Sequence, residues 1–270
     1  MTQYKKNNKS KQKIFNVNKY KKFNKSKQKP FNDNNDNNDN MYNRLINSLV
    51  KKCLLKKGSK EEKIFKKVNR IDFCLDNTPE NICYFDNPDK LFNGQTITAP
   101  HLHAYAINTL RNHIKPGAKI LDVGCGSGIL CAIFSYLVDI EHNKNSLVIG
   151  IDIYDNLVNK SINNIKKNHS HLFNYNRLKI YKQNGWKGVS LKNNNIIDKE
   201  IFDVIHIGAK ADDIPEILWY QLKSGGRMFI PIEFNGKTNI YIIDKPIKYK
   251  NVGEMTIQKD LNVKYVPLQK

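Results

Sequence analysis

The run Asp122-Val123-Gly124-Cys125-Gly126-Ser127-Gly128 joins an acid, three glycines and the entry to an apolar segment. Glycines remove the side chains that would keep a ligand off the backbone, and a helix start offers unpaired N–H groups. A pyrophosphate-binding turn wants G-x-G-x-x-G, its third glycine allowing close helix packing. Here the spacing is G-x-G-x-G, and Ile129 stands where that third glycine would be. The turn therefore suits a nucleoside cofactor that lacks a pyrophosphate, S-adenosylmethionine, whose amino-acid end can lie over the glycines. A second acid, Asp152, closes the apolar run Leu147–Asp152. A carboxylate at the end of a second strand, about twenty residues or more past the glycines, can accept both hydroxyls of a ribose. Its other possible role is to cap the following helix, for which Asp155 is better placed.

A polar loop, Gly94 to Ala104, precedes these motifs and holds Thr98, His101 and His103. On pattern alone Thr98 could be a helix N-cap. The two histidines are two residues apart, so one helical face does not readily offer both to a metal, and no metal site is expected.

These groups need a scaffold. Tyr42, Leu45, Ile46, Leu49 and Val50 recur at helical spacing. Ser59 to Glu62 reads as a capping box opening a second helix that carries Ile64, Phe65 and Val68. Residues 71–94 read as irregular, and a third helix is predicted from Pro100 to His113. From Ala118 the pattern alternates. Strands are predicted over Ala118–Val123, Leu147–Asp152, Leu178–Gln183, Phe202–Gly208 and Arg227–Ile232, with helices over Ile129–Val138, Asn156–Lys167 and Ile214–Leu222. Such alternation predicts an α/β fold: a Rossmann-like, mostly parallel sheet with helices on both faces. Asn239–Asp244, Met255–Gln258 and Val263–Val266 read as strands without helices between them, an antiparallel C-terminal end.

Residues 1–40 are Lys- and Asn-rich, too polar to offset the entropy of ordering, and read as a disordered extension. The folded domain is expected over 41–270, with a helical part and polar loop at 41–115 and a cofactor-binding sheet at 116–270. Of the net charge of +20, eleven Lys and three Asp place +8 in the first forty residues. The remainder is spread without a dominant cluster, which argues against a dedicated nucleic-acid groove. The five cysteines include no C-x-x-C pair, and an odd count without a secretory signal reads as reduced thiols in the cytoplasm. No apolar run is long enough to span a membrane.

The segment Gln95-Thr96-Ile97-Thr98-Ala99-Pro100-His101-Leu102-His103-Ala104 closely resembles the signature loop of the protein-L-isoaspartate (D-aspartate) O-methyltransferase family. The resemblance continues through Leu121–Leu130, Val148–Asp152, Phe202–Ala209, Leu222–Pro231 and Val263–Leu268, and covers roughly residues 41–269 in order. It implies methyl transfer from S-adenosylmethionine, with S-adenosylhomocysteine as product, to the free carboxylate of L-isoaspartyl residues in damaged proteins, with D-aspartyl residues as a second substrate. It implies that Thr98 is the active-site hydroxyl, where the family usually has serine. It places Ile97, Thr98, His103, Asp122, Gly124, Gly126, Asp152, Asn184, Gly185 and Gln269 around the cofactor. Asn184 stands where the family usually has Asp, and Gln269 where it usually has Thr. The family's C-terminal tail is expected to be short or missing.

A carboxylate with a pKa near ~4 is already ionised at neutral pH, so this reaction needs no strong base and agrees with a chain lacking an evident triad. The alternative is a nucleic-acid methyltransferase with a basic tail. Against it, the chain has neither an N/D/S-P-P-[YFW] tetrapeptide nor a Pro-Cys pair. Isoaspartyl-containing proteins and peptides are the expected partners, and a monomer is expected.

Overall fold

The computed structural model describes residues 41–191, 198–247 and 256–269. The expected extension 1–40 lies outside the described residues, as does Met255.

Four short helices come first: α1 (Met41–Lys51), α2 (Lys60–Lys67), α3 (Glu80–Cys83) and α4 (Pro100–Leu110). The apolar stripe of α1 is buried at Tyr42, Leu45, Ile46 and Leu49, which fits its helical spacing. At the start of α2, Ser59 accepts the Glu62 N–H, while the Glu62 carboxylate accepts from Gly58 rather than from Ser59. Helix α4 ends at Leu110, three residues before the predicted His113. Pro116 follows and disfavours helical geometry at Lys115. The N-cap of α4 is Ala99, not Thr98, so the Thr98 hydroxyl is not used as a cap. A two-residue pairing of β1 (Asp89–Lys90) with β2 (Thr96–Ile97) precedes α4.

The seven strands of the main sheet are β3 (Lys119–Val123), β4 (Leu147–Asp152), β5 (Leu178–Lys182), β6 (Phe202–Ile207), β7 (Leu222–Phe234), β8 (Lys237–Asp244) and β9 (Thr256–Asn262). They lie in the order β5-β4-β3-β6-β7-β8-β9. The first five are parallel and the last two join antiparallel. Between them run α5 (Ile129–Leu137), α6 (Asp155–His169) and α7 (Glu216–Gln221). The chain moves one way from β3 to β5 and the other way from β6 to β7. Right-handed crossovers then put α5 and α6 on one face and α7 on the other. The reversal leaves a crevice beyond the carboxyl ends of β3 and β6, where ligands bind in open α/β sheets.

Strand periodicity sorts the residues between the faces. Leu121, Val123, Ile149, Ile151, Ile205, Ile207, Met228 and Ile230 form a core with Leu218 of α7. The alternate residues Asp122, Gly150 and His206 face α5, and Phe229 packs against Tyr105 of α4. Gly150 is glycine because a Cβ there would lie 2.6 Å from Cys131 Sγ and 3.2 Å from Cys125 Cβ.

The structure departs from the sequence reading at the C-terminal end. β7 and β8 are longer than predicted and meet at Asn235-Gly236, both with positive φ (51° and 71°). This is the two-residue hairpin turn that Asn-Gly favours. Val263–Val266 is not a strand. The chain leaves β9 and crosses to Lys210, pairing there through the Val266 carbonyl (2.8 Å) and the Leu268 N–H (2.8 Å). Its apolar residues pack over a strand end instead of extending a ladder. Asp155 occupies the first turn of α6 and is not its cap.

Gly150→Ala should lower unfolding stability by about 1–3 kcal/mol, the usual cost of overpacking a filled interior. Urea titration would show it as a lower midpoint at unchanged slope.

Candidate active site

Asp122 is 1% exposed. Parallel register sets it beside Gly150 on β4 and His206 on β6. The His206 Nδ1 lies 2.7 Å from Asp122 Oδ1, and the Cys131 thiol donates to Oδ2 at 3.4 Å. A buried carboxylate needs such partners. Its bonds are thus spent below the glycine turn, and His206 packs against the rings of Phe134 and Phe229.

Above it the chain turns through Gly124, Gly126 and Gly128, with φ of 71°, 53° and 84°. Non-glycine residues rarely adopt these values. At Gly128 a Cβ would also come within 2.8 Å of Ser161 on α6. The Gly124 and Cys125 N–H groups both bond the Ile151 carbonyl, which ties the turn to β4. Asp152, at the end of β4, accepts the Gly126 N–H on Oδ2 (3.0 Å) and the Tyr154 N–H on Oδ1 (3.2 Å). It therefore steadies both the glycine turn and the entry to α6. A carboxylate offers about four lone-pair sites, so acceptor capacity remains beyond these backbone bonds. Burial pushes the Asp152 pKa up; the backbone N–H bonds oppose this.

These elements wall an open cleft of about 530 Å³, part of it continuous with solvent. Of the residues singled out in the sequence, Gly124, Gly126, Asp152, Gly185 and Gln269 line it. Ile97, Thr98, His103, Asp122 and Asn184 lie outside its wall. Ile97 is buried in β2, and Thr98 is partly exposed just beyond the rim residues Gln95 and Thr96. His103 is buried on α4, where desolvation and then the Arg70 charge hold its pKa well below the ordinary value. His101 instead pairs with Asp86, so the two histidines part as their spacing implied. Asn184 Oδ1 accepts the Trp186 N–H (2.9 Å) and caps its own turn. At Gly185 a Cβ would meet Val123 Cγ1 at 2.5 Å, so only glycine lets this turn close on β3.

Several lining residues escaped the sequence reading. Gly208 and Ala209 follow β6 and face Gly124; a Cβ on Gly208 would stand 2.8 Å from the Gly124 oxygen. The sequence signal was a glycine directly after a buried strand. Gln183, Tyr154, Leu157 and Val266–Leu268 also contribute. Tyr154, Leu157 and Gln183 follow the ends of β4 and β5, and Val266–Leu268 arrive on the crossing that pairs with Lys210.

A switch-point crevice, a glycine turn open to it and a ribose-ready carboxylate together make an S-adenosylmethionine-dependent methyltransferase scaffold. The turn fits that cofactor physically: Gly124 and Gly126 line the cleft with bare backbone, and Asp152 keeps acceptor capacity. The chain belongs to the protein-L-isoaspartate (D-aspartate) O-methyltransferase family, whose model matches residues 40–270. It is 33% identical over 208 residues to protein-L-isoaspartate O-methyltransferase 1 of Arabidopsis thaliana, covering 77% of this chain and 84% of that one. It is 36% identical over 181 residues to the Caenorhabditis elegans protein-L-isoaspartate O-methyltransferase, covering 67% and 73%. Among solved structures, one from Plasmodium falciparum superposes with a TM-score of 0.74 at 31% identity, over 84% of this chain and 98% of that one. It is described as a β-aspartate methyltransferase in complex with S-adenosyl-L-homocysteine.

Asp152→Ala should weaken S-adenosylhomocysteine binding by about ten- to a hundredfold, as expected for hydrogen bonds to a charged acceptor. Only the ionised Asp152 carboxylate offers all its lone pairs. Because its pKa is raised, affinity should fall with decreasing pH sooner than an exposed aspartate would dictate. Calorimetry across acid pH would show this loss in the wild type, and Asp152→Asn should flatten it.

Proposed function

We propose that this chain methylates the free carboxylate of L-isoaspartyl residues in damaged proteins, with D-aspartyl residues as a second substrate, and so starts their repair. The observation that carries this reading is the loop Gln95–Ala104, which the fold brings to the rim of the cleft through Gln95 and Thr96. Bound S-adenosylmethionine supplies an electrophilic sulfonium methyl group. Asp152 would hold its ribose, the backbone at Gly124 and Gly126 its amino-acid end, and the Asn184-Gly185 turn its adenine side.

The substrate carboxylate is already ionised at neutral pH and needs no base. The protein's task is to align it. Thr98 is partly exposed and its backbone carbonyl is held by Arg70 at 2.8 Å. Among the described residues no hydrogen bond engages its hydroxyl, which is free to donate to a carboxylate oxygen. His103 beneath the loop stays neutral, so it adds no competing cation. Holding nucleophile, methyl and sulfur near linearity then supplies most of the acceleration.

The chain is proposed to act as a monomer. Its buried free thiols Cys74, Cys83, Cys125 and Cys131 suit a reducing, cytoplasmic setting. Among the described residues no helix is long and apolar enough to cross a membrane.

Labelled S-adenosylmethionine and two peptides, differing only in L-isoaspartyl versus L-aspartyl at one position, test the reading. Base-labile label should enter the isoaspartyl peptide alone; label on neither, with cofactor bound, would refute it. Thr98→Val should cut kcat by about a hundredfold through lost alignment and leave S-adenosylhomocysteine binding unchanged. Equal turnover would remove Thr98 from the mechanism.

A further inference from the structure

Arg70 is 3% exposed, in the short turn Arg70–Phe73 between α2 and α3. Its guanidinium is occupied by backbone. Nε donates to the Cys83 carbonyl (2.9 Å), one Nη to the Thr98 carbonyl (2.8 Å), and the other Nη to the Asn87 carbonyl (3.3 Å). Burial works against its charge, and Asp86 and Asp89 are among the groups that offset this through space. Among the described residues no carboxylate hydrogen-bonds the fork, whose planar geometry instead templates three chain segments.

Regular backbone pairing in those segments is short. Cys83 ends the four-residue helix α3, Asn87 precedes Pro88, and Thr98 follows a strand pair with only two residues on each side. Immediately beyond Thr98 the chain is pinned again. Asp86 Oδ1 accepts the His101 N–H (2.8 Å) and lies 2.9 Å from His101 Nδ1, while Lys52 bonds Oδ2 at 2.5 Å. Only Ala99 and Pro100 separate the two anchors.

We propose that Arg70 is a positioning residue for methyl transfer, fixing the Thr98 backbone so that its hydroxyl meets the substrate carboxylate. This rests on the role given to Thr98 above. A lysine would keep the charge, but its single ammonium cannot reach three carbonyls set around a planar fork. Small misplacements of an aligning group are costly in rate even when binding is intact.

The test is a double-substitution cycle on the full chain with Arg70→Lys, Thr98→Val and the pair. Arg70→Gln serves as a second variant should Arg70→Lys not fold. The readouts are kcat and KM for an L-isoaspartyl peptide, calorimetric S-adenosylhomocysteine binding, and amide hydrogen exchange. Arg70→Lys should lower kcat by about ten- to a hundredfold and change cofactor Kd less than about threefold. Exchange should rise over residues 96–102 and stay unchanged in β3 and β4. On the Thr98→Val background, Arg70→Lys should cost less than about twofold, because residues acting as one unit are not additive. An equal loss on both backgrounds, or a cofactor Kd that weakens in step with kcat, would overturn the proposal and leave Arg70 as general support of the fold. If the wild type labels no isoaspartyl peptide, the proposed reaction fails. The exchange measurement then still decides whether Arg70 holds Thr98, and unchanged loop protection in the variant would refute that.

Discussion

A carboxylate buried at the centre of a sheet costs several kcal/mol unless it is fully partnered, and removing one partner of such a group typically costs about 3–5 kcal/mol. Asp122 is that carboxylate, and much of the cleft depends on how it is satisfied. His206 reaches it from the next strand and Cys131 from the helix above. Cys131 can approach because Gly150 beside it has no side chain. The same approach brings α5 down on the sheet, so that the glycine turn leading into it must bend sharply at the strand ends. The left-handed glycines are thus the consequence of close helix packing as well as an opening for a ligand. Asp152 completes the arrangement by tying the turn to the next βα junction.

The scaffold and the rim are ordered by different physics. The floor of the cleft is ladder hydrogen bonding and apolar packing between regular elements, where each residue's face follows from strand periodicity. The rim comes from irregular segments, and side chains or isolated backbone bonds must replace the missing ladder. Arg70 and Asp86 do this for the Gln95–His101 loop, and the Lys210 backbone does it for Val266–Leu268. One consequence is that a residue far from the cleft in sequence, such as Arg70, can govern its edge.

The three departures from the family pattern look milder in the structure than as substitutions. Asn184 accepts the Trp186 N–H through its amide oxygen, a bond that an aspartate could equally make, so the turn beside Gly185 keeps its shape. Thr98 keeps a hydroxyl and lies outside the helix cap, which leaves that hydroxyl uncommitted. Gln269 lies exposed at the cleft edge, where a longer polar side chain can be accommodated.

By itself the sequence determined the alternation of strands and helices, the glycine turn, Asp152 at the second strand end and the family loop. Those features are local: each depends on periodicity or on backbone conformations that only certain residues allow. It also marked β4 to the residue. It did not reveal that β7 and β8 meet in a tight hairpin, although Asn235-Gly236 was a legible signal, nor that Val263–Val266 crosses the strand ends instead of joining the sheet. Only the tertiary structure decided that Asp122 turns away from the cleft onto His206, that Gly208 packs directly beside Gly124, and that Arg70 grips Thr98. Each of these pairs residues between about 28 and 84 positions apart, joined by strand register or by a buried side chain reaching a distant carbonyl. Contacts of that kind are set by how the elements pack, and no local pattern encodes them.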